Sequence, residues 1–240
     1  MTIGSKLDHV RSMIRASAVG VAAPPASTPS PWAHVAVTIS RQTGTDASDL
    51  ATTLAESLSR RDGSGGTWFA YDRALVERVA EDHNMSRDLV ASLDEHDKTW
   101  FEHLTAGLGH ASTGADVALK TARTMRALAR VGRAIIVGRG GQSVLHGVPA
   151  VVHVRLVAPM DWRVARYADR HALSPEEAAK AVQDTDAERA RYIQHHYGTA
   201  VDDDGLYDVV INMMRVAPAT AVDVIARLVI GHRATDASGS

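Results

Sequence analysis

The 240-residue chain contains no cysteine, which excludes a disulfide framework, a thiolate metal site and a cysteine nucleophile. It also lacks a sizeable net charge: 26 Lys and Arg against 28 Asp and Glu leave a formal −2. No bulk field therefore recruits nucleic acid or an anionic membrane. Anion binding must come from local placement of arginines and backbone amides. No segment approaches the roughly 20 continuous apolar residues that span a bilayer. What remains is ordinary for a globular protein, with 45% hydrophobic and 22% charged residues, and long enough for one large α/β domain with a buried core.

At the N-terminus, Lys6, Arg11 and Arg15 precede a mildly apolar run from Ala16 to Ala23, a faint imitation of a signal peptide. The run is short and built of alanine, glycine and valine. An amphipathic arm over residues 1–23 (Leu7, Val10, Met13, Ile14) is the better reading, and with it a cytoplasmic protein. Residues 24–34 form a Pro/Ser-rich linker, extended because proline fixes φ and removes a donor. The globular part then covers residues 35–233, and the small polar tail 234–240 is expected to be disordered.

Within the globular part, short apolar runs alternate with helical patterns. Strands are expected at 35–40, 67–72, 134–137, 151–157 and 207–212. Helices are expected at 47–61, after Asp72, over 86–132 with a break near 107–114, over 160–197, and over 217–230. The 160–197 stretch should break at Leu173-Ser174-Pro175, with Ser174 capping and Pro175 opening the next helix. Continuous apolar strands alternating with helices imply a parallel sheet covered on both faces. Ligands in such sheets bind beyond the carboxyl ends of the strands, so the residues after each strand carry the information.

After the first strand comes Ser40-Arg41-Gln42-Thr43-Gly44-Thr45-Asp46-Ala47-Ser48. A loop entering a helix N-terminus offers phosphate unpaired amides and a partial positive charge. Against the phosphate-loop pattern G-x-x-x-x-G-K-[ST], Arg41 replaces the first glycine, Asp46 the second and Ala47 the lysine; only Ser48 matches. By itself this loop reads better as a helix capped by Thr45 or Asp46 than as a phosphate loop. Its company changes that reading. The loop is followed by Tyr71-Asp72-Arg73, by Ile135-Ile136-Val137-Gly138-Arg139-Gly140, by Thr185-Asp186-x-x-Arg189-x-x-Tyr192, and by Tyr207-Asp208-Val209-Val210-Ile211-Asn212.

In order and spacing these elements resemble the cytidylate kinase-like family, from about Val35 to Ile230. The resemblance implies a three-layer α/β/α fold of the phosphate-loop kinase type, with a five-stranded parallel sheet and helical NMP-binding and lid insertions. It implies phosphoryl transfer from ATP, with Mg²⁺, to a nucleoside monophosphate or related phosphorylated acceptor. The family's loop typically reads Ile-Ser-Arg-x-x-Gly-Ser-Gly-Gly-Arg, so the lysine is already displaced there. Here the Gly-Gly-Arg portion is Asp46-Ala47-Ser48, which removes an arginine and adds a carboxylate beside the phosphate site.

Carried onto this chain, the resemblance puts ATP on Arg41, Gly44, Thr45 and Ser48, with Mg²⁺ at Ser48. The acceptor falls to Asp72, Arg73, Arg139, Asp186, Arg189 and Tyr192, and Arg139, Arg163 and Arg189 neutralise the transferring group. Read as residues alone, Asp72 is also a helix N-cap, and Asp186 and Arg189 an i, i+3 ion pair. Arg163, Arg166 and Arg170 likewise read as a basic helix face. Cytidylate kinases continue Gly-Arg with an aspartate that helps read the nucleoside; Gly140 stands there instead, so cytosine preference does not carry over.

Two apparent signals are discounted. His96, His103 and His110 recur every seven residues, but Gly107 and Gly109 break the helix that would align them. Asp202-Asp203-Asp204-Gly205 lacks the spacing and closing glutamate of a calcium loop and reads as an acidic turn. Two alternatives to the enzyme remain. One is a nucleotide-binding regulatory protein with the kinase fold and impaired catalysis. The other is an interaction protein that docks a partner, or a second copy, through the N-terminal arm.

Overall fold

The computed structural model describes residues 32, 34–81, 99–102 and 113–236. The N-terminal arm, nearly all of the 24–34 linker, the three spaced histidines and residues 237–240 lie outside the described residues.

Five strands form one parallel sheet: β1 (Ala36–Arg41), β2 (Phe69–Tyr71), β3 (Ala134–Val137), β4 (Val151–Val157) and β5 (Val209–Asn212), in the order β2-β3-β1-β4-β5. The helices are α1 (Ala47–Arg61), α2 (Arg73–Glu81), α3 (Thr113–Val131), the single turn α4 (Gly141–Val144), α5 (Met160–His171), α6 (Pro175–Tyr197) and α7 (Pro218–Asp236).

Strand side chains alternate between faces, and two cores result. Val37, Ile39, Ile135, Val137, Val152 and Val154 meet α1 and α7 on one face. Ala36, Ala134, Ile136 and Val151 meet α2, α3 and α4 on the other. Helix α1 docks because Ala47, Leu50, Ala51, Leu54, Ala55 and Leu58 recur at helical spacing and are buried. The chain thus leaves β1 for one face and β3, its neighbour, for the other. A crevice opens at their carboxyl ends, the ordinary ligand position in such sheets.

Helices α5 and α6 form a hairpin over that crevice. Ala172, at φ 52°, ends α5. Ser174 Oγ accepts from the Glu177 amide at 3.3 Å while Glu177 Oε2 accepts from the Ser174 amide at 2.9 Å. This capping box, with Pro175 at the first helical position, restarts the helix where the sequence predicts. Helix α7 runs six residues beyond the expected Ile230, to Asp236.

Candidate functional site

The loop from Gln42 to Asp46 joins β1 to α1, and two of its residues are left-handed: Gly44 at φ 88° and Asp46 at φ 54°. Alternating hands turn successive amides to one side and make an anion-binding concavity. The loop therefore has left-handed turns of the kind found in such concavities, although the lysine and second glycine of the phosphate-loop pattern are absent. Glycine is required at 44, because a Cβ there would lie 2.6 Å from the Arg163 carbonyl oxygen.

Thr43 is the hub that fixes this loop beneath α5 and α6. Its amide and hydroxyl both donate to Asp186 Oδ1, at 2.8 and 2.6 Å. Arg163 Nη1 donates to the Thr43 carbonyl at 3.1 Å and to Asp186 Oδ2 at 2.7 Å, and its Nε donates to the Ala158 carbonyl at 3.0 Å. Arg189 Nη1 donates to Thr43 Oγ1 at 2.7 Å. The Arg163 side chain is only 8% exposed. Asp186 is thus the counter-charge that makes a buried guanidinium tolerable.

Asp46 is the N-cap residue of α1, yet its carboxylate makes no cap hydrogen bond. Instead it accepts from Arg166 Nε at 2.9 Å and Arg170 Nη1 at 2.6 Å, both on α5. Arg170 also reaches Asp49 in the first turn of α1. These carboxylates hold the Arg170 guanidinium above its usual pKa, Asp49 contributing most. The substitution that departs most from the family loop is therefore neutralised by arginines of the neighbouring helix hairpin.

Beside this loop lies a cavity of about 330 Å³ lined by Arg41, Arg73, Arg139, Arg189, Gln142 and Tyr192, among others. Four guanidinium groups thus share one concave space of ligand-binding size. Arg139 follows β3 in a run of left-handed residues, Gly138 at 84°, Arg139 at 58° and Gly140 at 73°. It pairs with Glu77 of α2 and lies 5.1 Å from the Tyr192 ring centroid. Its Nε is buried without a hydrogen-bond partner among the described residues. Burial holds the Arg139 pKa below its usual value.

Arg41 is the most stressed cation in the site. Its guanidinium lies against Gly138, where a Cβ would fall 1.8 Å from Nη1. Among the described residues no carboxylate forms a salt bridge with it, and its pKa is pushed down to about 10, first by burial and then by Arg189 and Arg139. It remains charged at neutral pH, a partly desolvated cation that an incoming anion would relieve.

Gly140 is equally constrained. A Cβ there would lie 2.6 Å from the Tyr197 ring, so the ring fills the space an aspartate would need. Gly140→Asp is expected to lower stability by roughly 1–3 kcal/mol through overpacking and left-handed strain. Thermal unfolding measures this, and an unchanged Tm would show that the ring moves freely.

The structure brings Arg41, Arg73, Arg139, Arg189 and Tyr192 to one cavity. Asp186 lines an adjoining cavity of about 940 Å³ that shares Arg41 and Arg189. Asp72 faces its own helix: its Oδ1 accepts from the Leu75 amide at 2.9 Å. Arg163 is a buried strut behind Thr43, not part of the lining of either cavity. Thr45 donates to the Gln42 carbonyl at 2.8 Å and tightens the loop, while Ser48 is exposed in the first turn of α1. The acidic turn at 202–205 leads into a short 3₁₀ helix, Asp204–Leu206, where Asp203 Oδ1 accepts from the Gly205 amide. Thr43, Glu77, Gln142 and Tyr197 carry no signal in the sequence beyond their places after strands or on a helix. Among the described residues no cluster of metal-ligating side chains is present, and no helix is long and apolar enough to cross a membrane.

A cytidylate kinase from Halobacterium salinarum is 26% identical over 82% of this chain and 91% of its own length. A cytidylate kinase from Natronomonas pharaonis is 26% identical over 85% of this chain and 93% of its own. The crystal structure of an uncharacterized protein from Eubacterium ventriosum superposes with a TM-score of 0.62 at 19% identity, over 82% of this chain and 99% of that one. The model of the cytidylate kinase-like family matches residues 36–215, and the chain belongs to that family.

Proposed function

We propose that this protein transfers a phosphoryl group from ATP to a phosphomonoester acceptor, a nucleoside monophosphate or a close relative, held in the arginine-lined cavity. The observation that carries the reading is the convergence of Arg41, Arg73, Arg139 and Arg189 beside a loop whose turns at Gly44 and Asp46 are left-handed. Phosphoryl transfer asks for positioning and charge neutralisation more than for covalent chemistry. An acceptor phosphate oxygen attacks the γ-phosphorus, the bond to the ADP oxygen breaks, and ADP leaves.

In this reading the left-handed turn at Gly44 and Asp46 cradles the donor phosphates on the loop from Arg41 to Ser48. Ser48, exposed in the first turn of α1, would hold Mg²⁺, which supplies charge neutralisation between the phosphates. Arg41, Arg73, Arg139 and Arg189 bind the acceptor phosphate, and Arg139 and Arg189 also face the developing charge. Arg163 acts through Thr43 and Asp186, fixing the loop. Tyr192 supplies an aromatic wall. A coupled assay of ADP release with each nucleoside monophosphate tests the reading; no turnover with any of them at high enzyme concentration refutes it.

One observation favours a second reading, a nucleotide-binding regulatory protein with impaired catalysis. Asp46 occupies Arg166 and Arg170, cations that a triphosphate would otherwise recruit. Asp46→Gly suits the left-handed backbone, frees Arg166 and leaves Arg170 on Asp49. It is expected to tighten ATP binding about tenfold by calorimetry, the scale of one charge-assisted contact. If the wild type is inactive and this variant gains turnover, the regulatory reading holds for the natural chain. An unaltered affinity would show that Asp46 does not oppose ATP.

A further inference from the structure

Gln142 is only 1% exposed and lines the arginine cavity, yet its amide nitrogen has no hydrogen-bond partner among the described residues. Buried side-chain donors are ordinarily paired, so an orphaned one in a cavity wall marks the place of a ligand atom. Its backbone is held fast. Arg126, itself 1% exposed, donates from Nη1 to the Val144 carbonyl at 2.7 Å. Ser143 Oγ lies 2.6 Å from Thr199 Oγ1, and Gly141 packs on the Thr38 side chain. The turn carrying Gln142 is pinned at three points, and a preorganised donor loses little freedom on binding.

We infer that Gln142 is the side chain that reads the acceptor's organic part, donating to a carbonyl oxygen or ring nitrogen on a phosphomonoester; this rests on the acceptor cavity proposed above. Three considerations carry it. Four guanidinium groups already bring more N–H donors than a phosphate dianion can accept, so a neutral amide adds nothing to phosphate capture. The position that a base-reading carboxylate would take is closed, because the Tyr197 ring fills the space beyond Gly140. The carboxylate that does line the cavity, Glu188, is exposed at its rim. Gln142 thus shares the lining with the buried Tyr192 hydroxyl, also without a partner among the described residues, and adds a neutral amide to it; Tyr192, Ile193 and Val201 give the same cavity apolar and aromatic surface for a flat ring.

Calorimetry on the full chain, without ATP, tests this with UMP and ribose 5-phosphate as probes, for wild type, Q142L and Q142E. Wild type is expected to bind UMP at least tenfold tighter than ribose 5-phosphate. Q142L should bring the two within threefold of each other by weakening UMP alone. Its Tm should be equal or higher, because an orphaned buried donor is removed. Q142E, which keeps the length but presents acceptors, should also lose the UMP preference, and it decides the matter if Q142L fails to fold.

Equal weakening of both probes would assign Gln142 to the phosphate and overturn the inference. So would an unchanged UMP preference in both variants, or wild type that binds the probes equally. Wild type that binds neither probe overturns the inference and the acceptor cavity together. Probe discrimination that depends on Gln142, in a protein without phosphotransfer activity, upholds the inference while the phosphotransferase reading fails.

Discussion

Asp186→Ala is expected to destabilise the protein by roughly 3–5 kcal/mol, the usual cost of stranding one partner of a buried ion pair. Arg163, 8% exposed, would lose its only carboxylate partner among the described residues, and Thr43 would lose the acceptor of both its amide and its hydroxyl. For a domain of this size the Tm should fall on the order of 10 °C. The loop that carries Gly44 and Asp46 would also lose its anchor to α6, so activity should fall with stability. Asp186→Leu combined with Arg163→Met should recover most of the stability and none of the activity, since an apolar pair often replaces a buried ion pair without loss. Denaturant unfolding of the two single variants and the double variant measures the coupling. Additive losses would show that the pair does not act as a unit.

Arg41→Met is expected to do the opposite to stability. Arg41 is a largely desolvated cation beside Arg189 and Arg139, and its pKa is drawn down to about 10. A folded-state pKa below the unfolded value means that, as pH rises past about 10, the native protein binds fewer protons than the unfolded chain. The charge therefore costs stability below about pH 10, and the cost is relieved as pH rises further. An apolar side chain of similar length removes the cost at neutral pH, so the Tm should rise by a few degrees. Monophosphate affinity should fall about 10- to 100-fold, the worth of a charge-assisted contact. A variant that loses both stability and affinity would show that Arg41 is a structural residue and not an anion trap.

The contrast between Arg163, which needs Asp186, and Arg41, which has no such partner among the described residues, explains what the sequence could and could not disclose. Arg41 ends a strand, Arg163 lies in the first turn of a helix, and both are cations in the same neighbourhood. One is satisfied by a carboxylate and the other waits for an anion. That difference depends on contacts such as Thr43 with Asp186, 143 residues apart in the chain, which no local pattern encodes. Local patterns did encode the layers. The buried positions of α1 recur at 3–4 residue spacing, β3 is a continuous apolar run, and Ser174-Pro175 marks its own helix start.

The shape of the phosphate loop was less legible. Asp46 stands where a glycine is usual but adopts the left-handed conformation anyway, because aspartate tolerates it better than most residues. Its carboxylate then turns to Arg166 and Arg170. The i, i+4 spacing of those arginines puts them on one face of α5 but does not say what that face meets. Asp72 shows the reverse: its position allowed a ligand contact or a cap, and backbone geometry took the cap. Gln142 had no pattern at all, since an amide on a single-turn helix is common anywhere.

The acceptor cavity underlies both the phosphotransferase and the regulatory reading, so its direct test is a titration of nucleoside monophosphates into the full chain without ATP, with wild type and Arg139→Met side by side. Saturable 1:1 binding by wild type, weakened at least tenfold in the variant while its Tm is kept, is the expected result. Absence of binding by every monophosphate, or binding that Arg139→Met leaves unchanged, would contradict the assignment of the cavity.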